Sequence, residues 1–195
     1  MALHSPSEIK LEAPGAGLPG YELFIARMLF AFRTWRYDPG RVTALFKQER
    51  VLVAQLLRQC PTQRLAERVL IPRPRGLEDS SRHWSLLMTL DHLRMVNLGV
   101  AASIRELAAG RVPAGKASTA NVKPCPEVTS DVIAAYEESC AHVLAAIQGV
   151  EGFRDDVRFA HPWFGPLTAK QWHLLVAVHL GLHRRQMEVI LEHLR

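Results

Sequence analysis

The sequence predicts an all-α fold, four long amphipathic helices preceded by a short extra one, and three observations predict it. Apolar residues recur at helical spacing over four long stretches, caps and breakers stand at their ends, and no segment alternates apolar and polar residues as a half-buried strand does. At 195 residues, 48% of them hydrophobic, the chain can bury one core, whereas two independent domains would each be small. The expected organisation is a flexible N-terminal arm over residues 1–19 and a single helical domain over 20–195.

The elements follow in order. Met1 to Pro19 carries prolines and glycines with little apolar periodicity and reads as an arm outside the core. Tyr21 to Trp35, rich in Leu, Ile, Met and Phe, is the short helix. Asp38-Pro39 then supplies an N-cap with proline at the first helical position. The helix that follows runs from Pro39 to Cys60, with Val42, Leu45, Val53, Leu56 and Leu57 on its apolar face and Pro61 just beyond. Val69 to Gly76 contains two prolines and is a connector. Asp79, Ser80 and Ser81 offer caps for a helix over Arg82 to Ala109, which stops at Gly110. Arg111 to Pro126 is a loop, Val128 to Ile147 a helix, and Gly149 to Pro166 an irregular connection. The last helix starts at Thr168, where T-A-K-Q has the form of a capping box, and continues toward the C-terminus.

Composition excludes several function classes. The net charge of +5 comes from scattered Lys and Arg, with only a loose basic stretch from Arg41 to Arg75 and no interleaved aromatics, so no nucleic-acid surface is expected. Three cysteines, Cys60, Cys125 and Cys140, with no CxxC pair suggest neither a disulfide framework nor a cysteine zinc site and fit a reducing, cytoplasmic compartment. Apolar runs fall short of the roughly 18 residues that span a bilayer, and no membrane partner is expected.

In a helical bundle, metal and cofactor sites are built from side chains projecting inward from facing helices, and the nine histidines are judged by that rule. His179 and His183 are one turn apart on the last helix, close enough to share a cation at about 2.0–2.1 Å. Spacing alone is weak, since a chance i,i+4 pair among so many histidines is expected roughly one time in three. Their face is more informative. They share a stripe with Trp172, Val176, Gln186 and Ile190 that should point inward, and two adjacent buried imidazoles need partners that core packing does not supply. His92 shares its own inward stripe with Ser85, Met88, Val96, Gly99 and Ser103, and is the best third ligand. His83 points to the other side of that helix, His142 and His173 fall off the relevant stripes, His193 lies too far along the last helix, and His4 is in the arm. Asp91 points about 100° from His92 and reads as a surface charge. Gln186 is placed to orient a ligand or to make an interhelical hydrogen bond. His161, beside Trp163 and Phe164, lines the mouth of the site as an acid or base, or else closes the bundle's end by aromatic burial.

These segments resemble a family. W-S-L-L-M-T-L-D-H-L, Trp84 to Leu93, is similar to the second bundle helix of DinB/YfiT-like proteins. H-L-G-L-H-R-R-Q, His179 to Gln186, is similar to their H-x-x-x-H-x-x-Q, and H-P-W-F-G-P-L-T with the following Trp172 resembles the lead-in of one branch. The resemblance spans Arg41 to Arg195 and leaves the Tyr21 to Trp35 segment unassigned.

The resemblance implies a DinB/YfiT-like four-helix bundle with a long crossover, and one divalent metal, zinc or nickel, on His92, His179 and His183. Members of that superfamily include enzymes that use low-molecular-weight thiols. A small-molecule substrate, such a thiol above all, is therefore the expected partner, and metal-activated thiol transfer is the leading reaction with hydrolysis beside it. A non-catalytic metal-binding or stress-related bundle, and a bundle that has lost the metal, stand as alternatives, and a homodimer is left open as the assembly.

Overall fold

The structure, a computed structural model, describes residues 10–195; the start of the arm expected over residues 1–19, with His4, lies outside the described residues. Five helices dominate: α1 Gly20–Arg36, α2 Pro39–Gln59, α3 Leu86–Ala108, α4 Val132–Gln148 and α5 Ala169–His193. Two short antiparallel ribbons join them, β1 Val69–Leu70 with β2 His83–Trp84, and β3 Phe159–His161 with β4 Gly165–Leu167. Strands of two or three residues are too short for an alternating pattern to register in sequence, which is why none was expected.

The helices start where side chains satisfy their orphan amides. Asp38 accepts from Arg41 N at 2.9 Å to open α2, and Thr168 with Gln171 forms the expected capping box of α5. The start of α3 differs from expectation. Asp79–Ser81 forms a single 3-10 turn, His83 and Trp84 pair with Leu70 and Val69, and Ser85 caps the helix by accepting from Met88 N at 3.1 Å. His83 is thus on a strand, and α3 begins four residues later than Arg82. The start of α4 likewise moves to Val132, because Thr129 and Ser130 take a turn first.

α5 packs against α2 and α3, and α3 against α4. Phe46 and Val53 of α2, Leu86, Leu90 and Ile104 of α3, Tyr136 and Val143 of α4, and Leu180 and Met187 of α5 are buried in one core. Gly181 sits between the two histidines of α5, where a Cβ would lie 3.1 Å from Glu49 Oε1. A glycine inside a helix costs about 1 kcal/mol against alanine. Here the missing side chain lets Glu49 of α2 reach Arg184 at 2.5 Å.

The described part of the arm runs beside the 3-10 turn, Glu12 N donating to Asp79 and Gly15 N to Glu78, both at 3.0 Å. α1 docks on the bundle through a Glu22–Arg73 ion pair and a stack of Phe30 on Phe164, ring centroids 4.7 Å apart. Among the described residues no helix is long and apolar enough to cross a membrane.

Candidate metal centre

α3 and α5 bring His92, His179 and His183 together, with their ligand-capable nitrogens all within 4.8 Å of one another. His92 Nε2 lies 3.1 Å from His179 Nε2. Two nitrogens each about 2.0–2.1 Å from one zinc lie about 3.0–3.4 Å apart, so this spacing suits a shared cation. The rings of His179 and His183 are 4.5 Å apart, as are those of His92 and His183, and Trp84 backs both His92 and His183, stacking on the latter at 5.9 Å.

The outer nitrogens decide which lone pairs face inward. His92 Nδ1 donates to the Val122 carbonyl at 2.6 Å, and His183 Nδ1 donates to Gln186 Oε1 at 2.7 Å. A neutral imidazole has one donor and one acceptor nitrogen, so in both residues Nε2 carries the free lone pair. Gln186 cannot turn its amide round, because its Nε2 donates to the Ser81 carbonyl at 2.7 Å. His179 differs, since its buried Nδ1 has no partner. Without a cation, His179 Nε2–H could donate to His92 Nε2, but that bond leaves His183 unexplained. A metal would take the inward lone pairs of all three, with the His179 Nδ1–H still unpaired.

Burial keeps the cluster neutral. It pushes the His92 pKa down to about 4, and holds His179 and His183 well below the ordinary value, with repulsion from the neighbouring histidines adding to the effect. Neutral imidazole is the metal-binding form. The fit of these residues to a divalent metal therefore rests on three convergent neutral donors, two of them with fixed tautomers.

Asp91 departs from expectation. Instead of a surface charge it is buried, pairs with Arg94 at 2.7 Å and accepts from Cys125 N at 3.0 Å. Asp91 and His92 together pin the segment from Val122 to Cys125 over the site. Its helical position was read correctly, but what covers that face is a loop whose path has no sequence signature. The same holds for the carbonyls of Val122 and Ser81: any residue supplies one. Gly99 also departs from its expected inward stripe and is exposed.

The remaining histidines stand apart. His173 is buried toward α2, 3.3 Å from Thr43 Oγ1; His83 lies 3.2 Å from Arg68; His142 and His193 are exposed. His161, on β3, packs against Phe164 and Trp172 at 5.2 and 5.5 Å and accepts from Trp163 N at 3.1 Å. Burial lowers its pKa to about 4, and it adds to the repulsion felt at His179. It also lines a cleft of about 470 Å³ between the 112–117 loop and the β3–β4 ribbon, with Lys116 and Arg158 on the rim.

A helical bundle whose second and last long helices converge three neutral histidines on one point defines a class of protein that could hold a metal ion there. The chain belongs to the DinB superfamily, whose family profile matches residues 45–187. Among solved structures it is similar to TT2238, described as a four-helix bundle protein, with 19% identity and a TM-score of 0.56 over 77% of this chain and 98% of that one. No curated protein matches the chain.

Proposed function

We propose that this chain is a metal-dependent enzyme that activates a low-molecular-weight thiol, or water, at His92, His179 and His183, with zinc or nickel as the metal. The observation that carries the reading is the donor set: three imidazoles kept neutral by burial bring no negative charge of their own. A divalent metal held there supplies Lewis acidity and lowers the pKa of a thiol or water that shares its coordination.

The chain's own groups then divide the work. Gln186 positions His183 and touches no substrate. His161 accepts a backbone N–H at Nδ1, so its neutral ring presents Nε2–H, a donor for a substrate oxygen. The cleft, which His161 lines but none of the three histidines does, has apolar walls that can receive the body of a substrate, and Lys116 and Arg158 in its lining can meet carboxylates such as those of glutathione.

Cobalt substitution tests the reading. Adding glutathione, bacillithiol or mycothiol to the cobalt form should produce a sulfur-to-metal charge-transfer band, and His92→Ala should abolish it together with conjugation of an electrophile. A cobalt spectrum unmoved by every thiol would overturn thiol activation, and hydrolysis of ester substrates by the same sample would favour water in its place.

A further inference from the structure

α1 is turned inside out relative to an ordinary surface helix. Its charged Glu22 faces the bundle and pairs with Arg73, while seven large apolar side chains face away from it, each at least 52% exposed and Trp35 80%. With full surfaces of about 150–250 Å² for such residues, they present about 800–900 Å² on one face. The largest apolar patch of a typical monomer is about 300–600 Å². A standard interface takes about 800 Å² from each partner.

The order of these residues identifies the occupant. Met28 is at the centre. Aromatic residues stand one turn away on each side, Phe24 and Phe32, and two turns away, Tyr21 and Trp35, while Ile25 and Ala31 stand three positions away on each side. The aromatic positions are symmetric about Met28, although Leu29 has Arg27 as its counterpart, so the stripe can meet itself antiparallel about a two-fold axis, aromatic against aromatic. A lipid surface or an unrelated protein would impose no such symmetry. Arg27 of α1 is also spent on its own bundle, donating to the Trp163 carbonyl at 2.7 Å, whereas a helix lying on an anionic membrane turns such basic residues to the headgroups.

We infer that the outward face of α1 is the interface of a homodimer, two α1 helices packing antiparallel about an axis at Met28. The inner face of the same helix holds Trp163 and Phe164, and thereby the ribbon that carries His161. Pairing therefore anchors that ribbon in both copies.

Sedimentation of the full chain at micromolar concentration tests the inference. The unaltered protein should run at twice the chain mass. Met28→Glu, at an exposed position, should keep its helical circular dichroism and raise the dimer dissociation constant at least about 100-fold, because two carboxylates meet across the axis. In a Cys125→Ser background, Met28→Cys should cross-link to a disulfide dimer on mild oxidation, and Trp35→Cys, far from the axis, should not. A monomeric unaltered chain, or a dimer indifferent to Met28→Glu, would overturn the inference. So would a monomer that floats with vesicles of phosphatidylcholine and phosphatidylglycerol, which would assign the face to a membrane.

Discussion

Gln186 accepts the Nδ1 hydrogen of His183 at 2.7 Å, and this one bond sets which nitrogen of the histidine faces the other two. The Ser81 carbonyl holds the amide in that orientation from the far side. A candidate ligand on α5 is thereby tied to the 3-10 turn before α3.

Removing that tie should weaken metal binding without removing a ligand. Replacing a residue that orients a metal ligand typically costs about 10–100-fold in affinity, and Gln186→Leu should fall in that range by competition against a chromophoric chelator. It also leaves the Ser81 carbonyl unpaired, with a stability loss of about 1–3 kcal/mol in urea. An unchanged metal affinity in a folded Gln186→Leu protein would mean that His183 is oriented by packing on Trp84 alone.

Elemental analysis of protein purified without a nickel column or chelator should find one divalent metal per chain. His183→Ala and His92→Ala should each lose most of it, since a site of three protein donors loses a third of them. His142→Ala, at an exposed position, should retain the full amount. Equal metal content in all of these proteins would remove the triad from consideration.

The metal-free chain should lose stability as the pH falls from about 6.5 toward 4. His92, His161 and His173 are held at about 4 by burial against an ordinary value of 6.5, so between those values the unfolded chain binds protons that the folded chain does not. Stability therefore rises with pH across that window and levels above it. Urea midpoints at pH 4.5, 5.5 and 7.5 should increase in that order. Added zinc should steepen the trend, because protons and metal compete for the same imidazoles. A midpoint that does not change with pH would show the histidines to be solvated.

Asp91→Ala should loosen the segment over the site. The variant loses both the acceptor for Cys125 N and the partner of Arg94, so amide exchange from Val122 to Cys125 should quicken while α5 stays protected. Exchange unchanged in that segment would mean that the His92 to Val122 hydrogen bond holds it alone.

Helix existence and the inward faces of α3 and α5 were legible because a period near 3.6 is a local property, carried by each residue's relation to those one turn away. Thr168 and Asp38 could be named as caps for the same reason. By contrast, Arg82 was read as the start of α3 because Asp79–Ser81 and Ser85 are both acceptable caps by residue type. The choice fell to Ser85 only once β1 had drawn His83 and Trp84 into a ribbon, a pairing between residues well separated in sequence.

For the site, the sequence by itself determined which imidazoles could meet. His179 and His183 lie one turn apart on one face, and His92 lies on the buried face of another helix. Only the tertiary structure decided how they are held, because the groups that hold them are the Val122 and Ser81 carbonyls, the Gln186 amide and the Asp91 carboxylate beneath a loop. Backbone carbonyls are common to every residue, and a loop's path is set by packing between distant segments, so neither leaves a mark in the local pattern of side chains. The same reason separates Glu22 from the apolar residues of α1: the helix was readable from its composition, but that its charge turns inward to Arg73 while Trp35 turns outward depends on which side of it the bundle occupies.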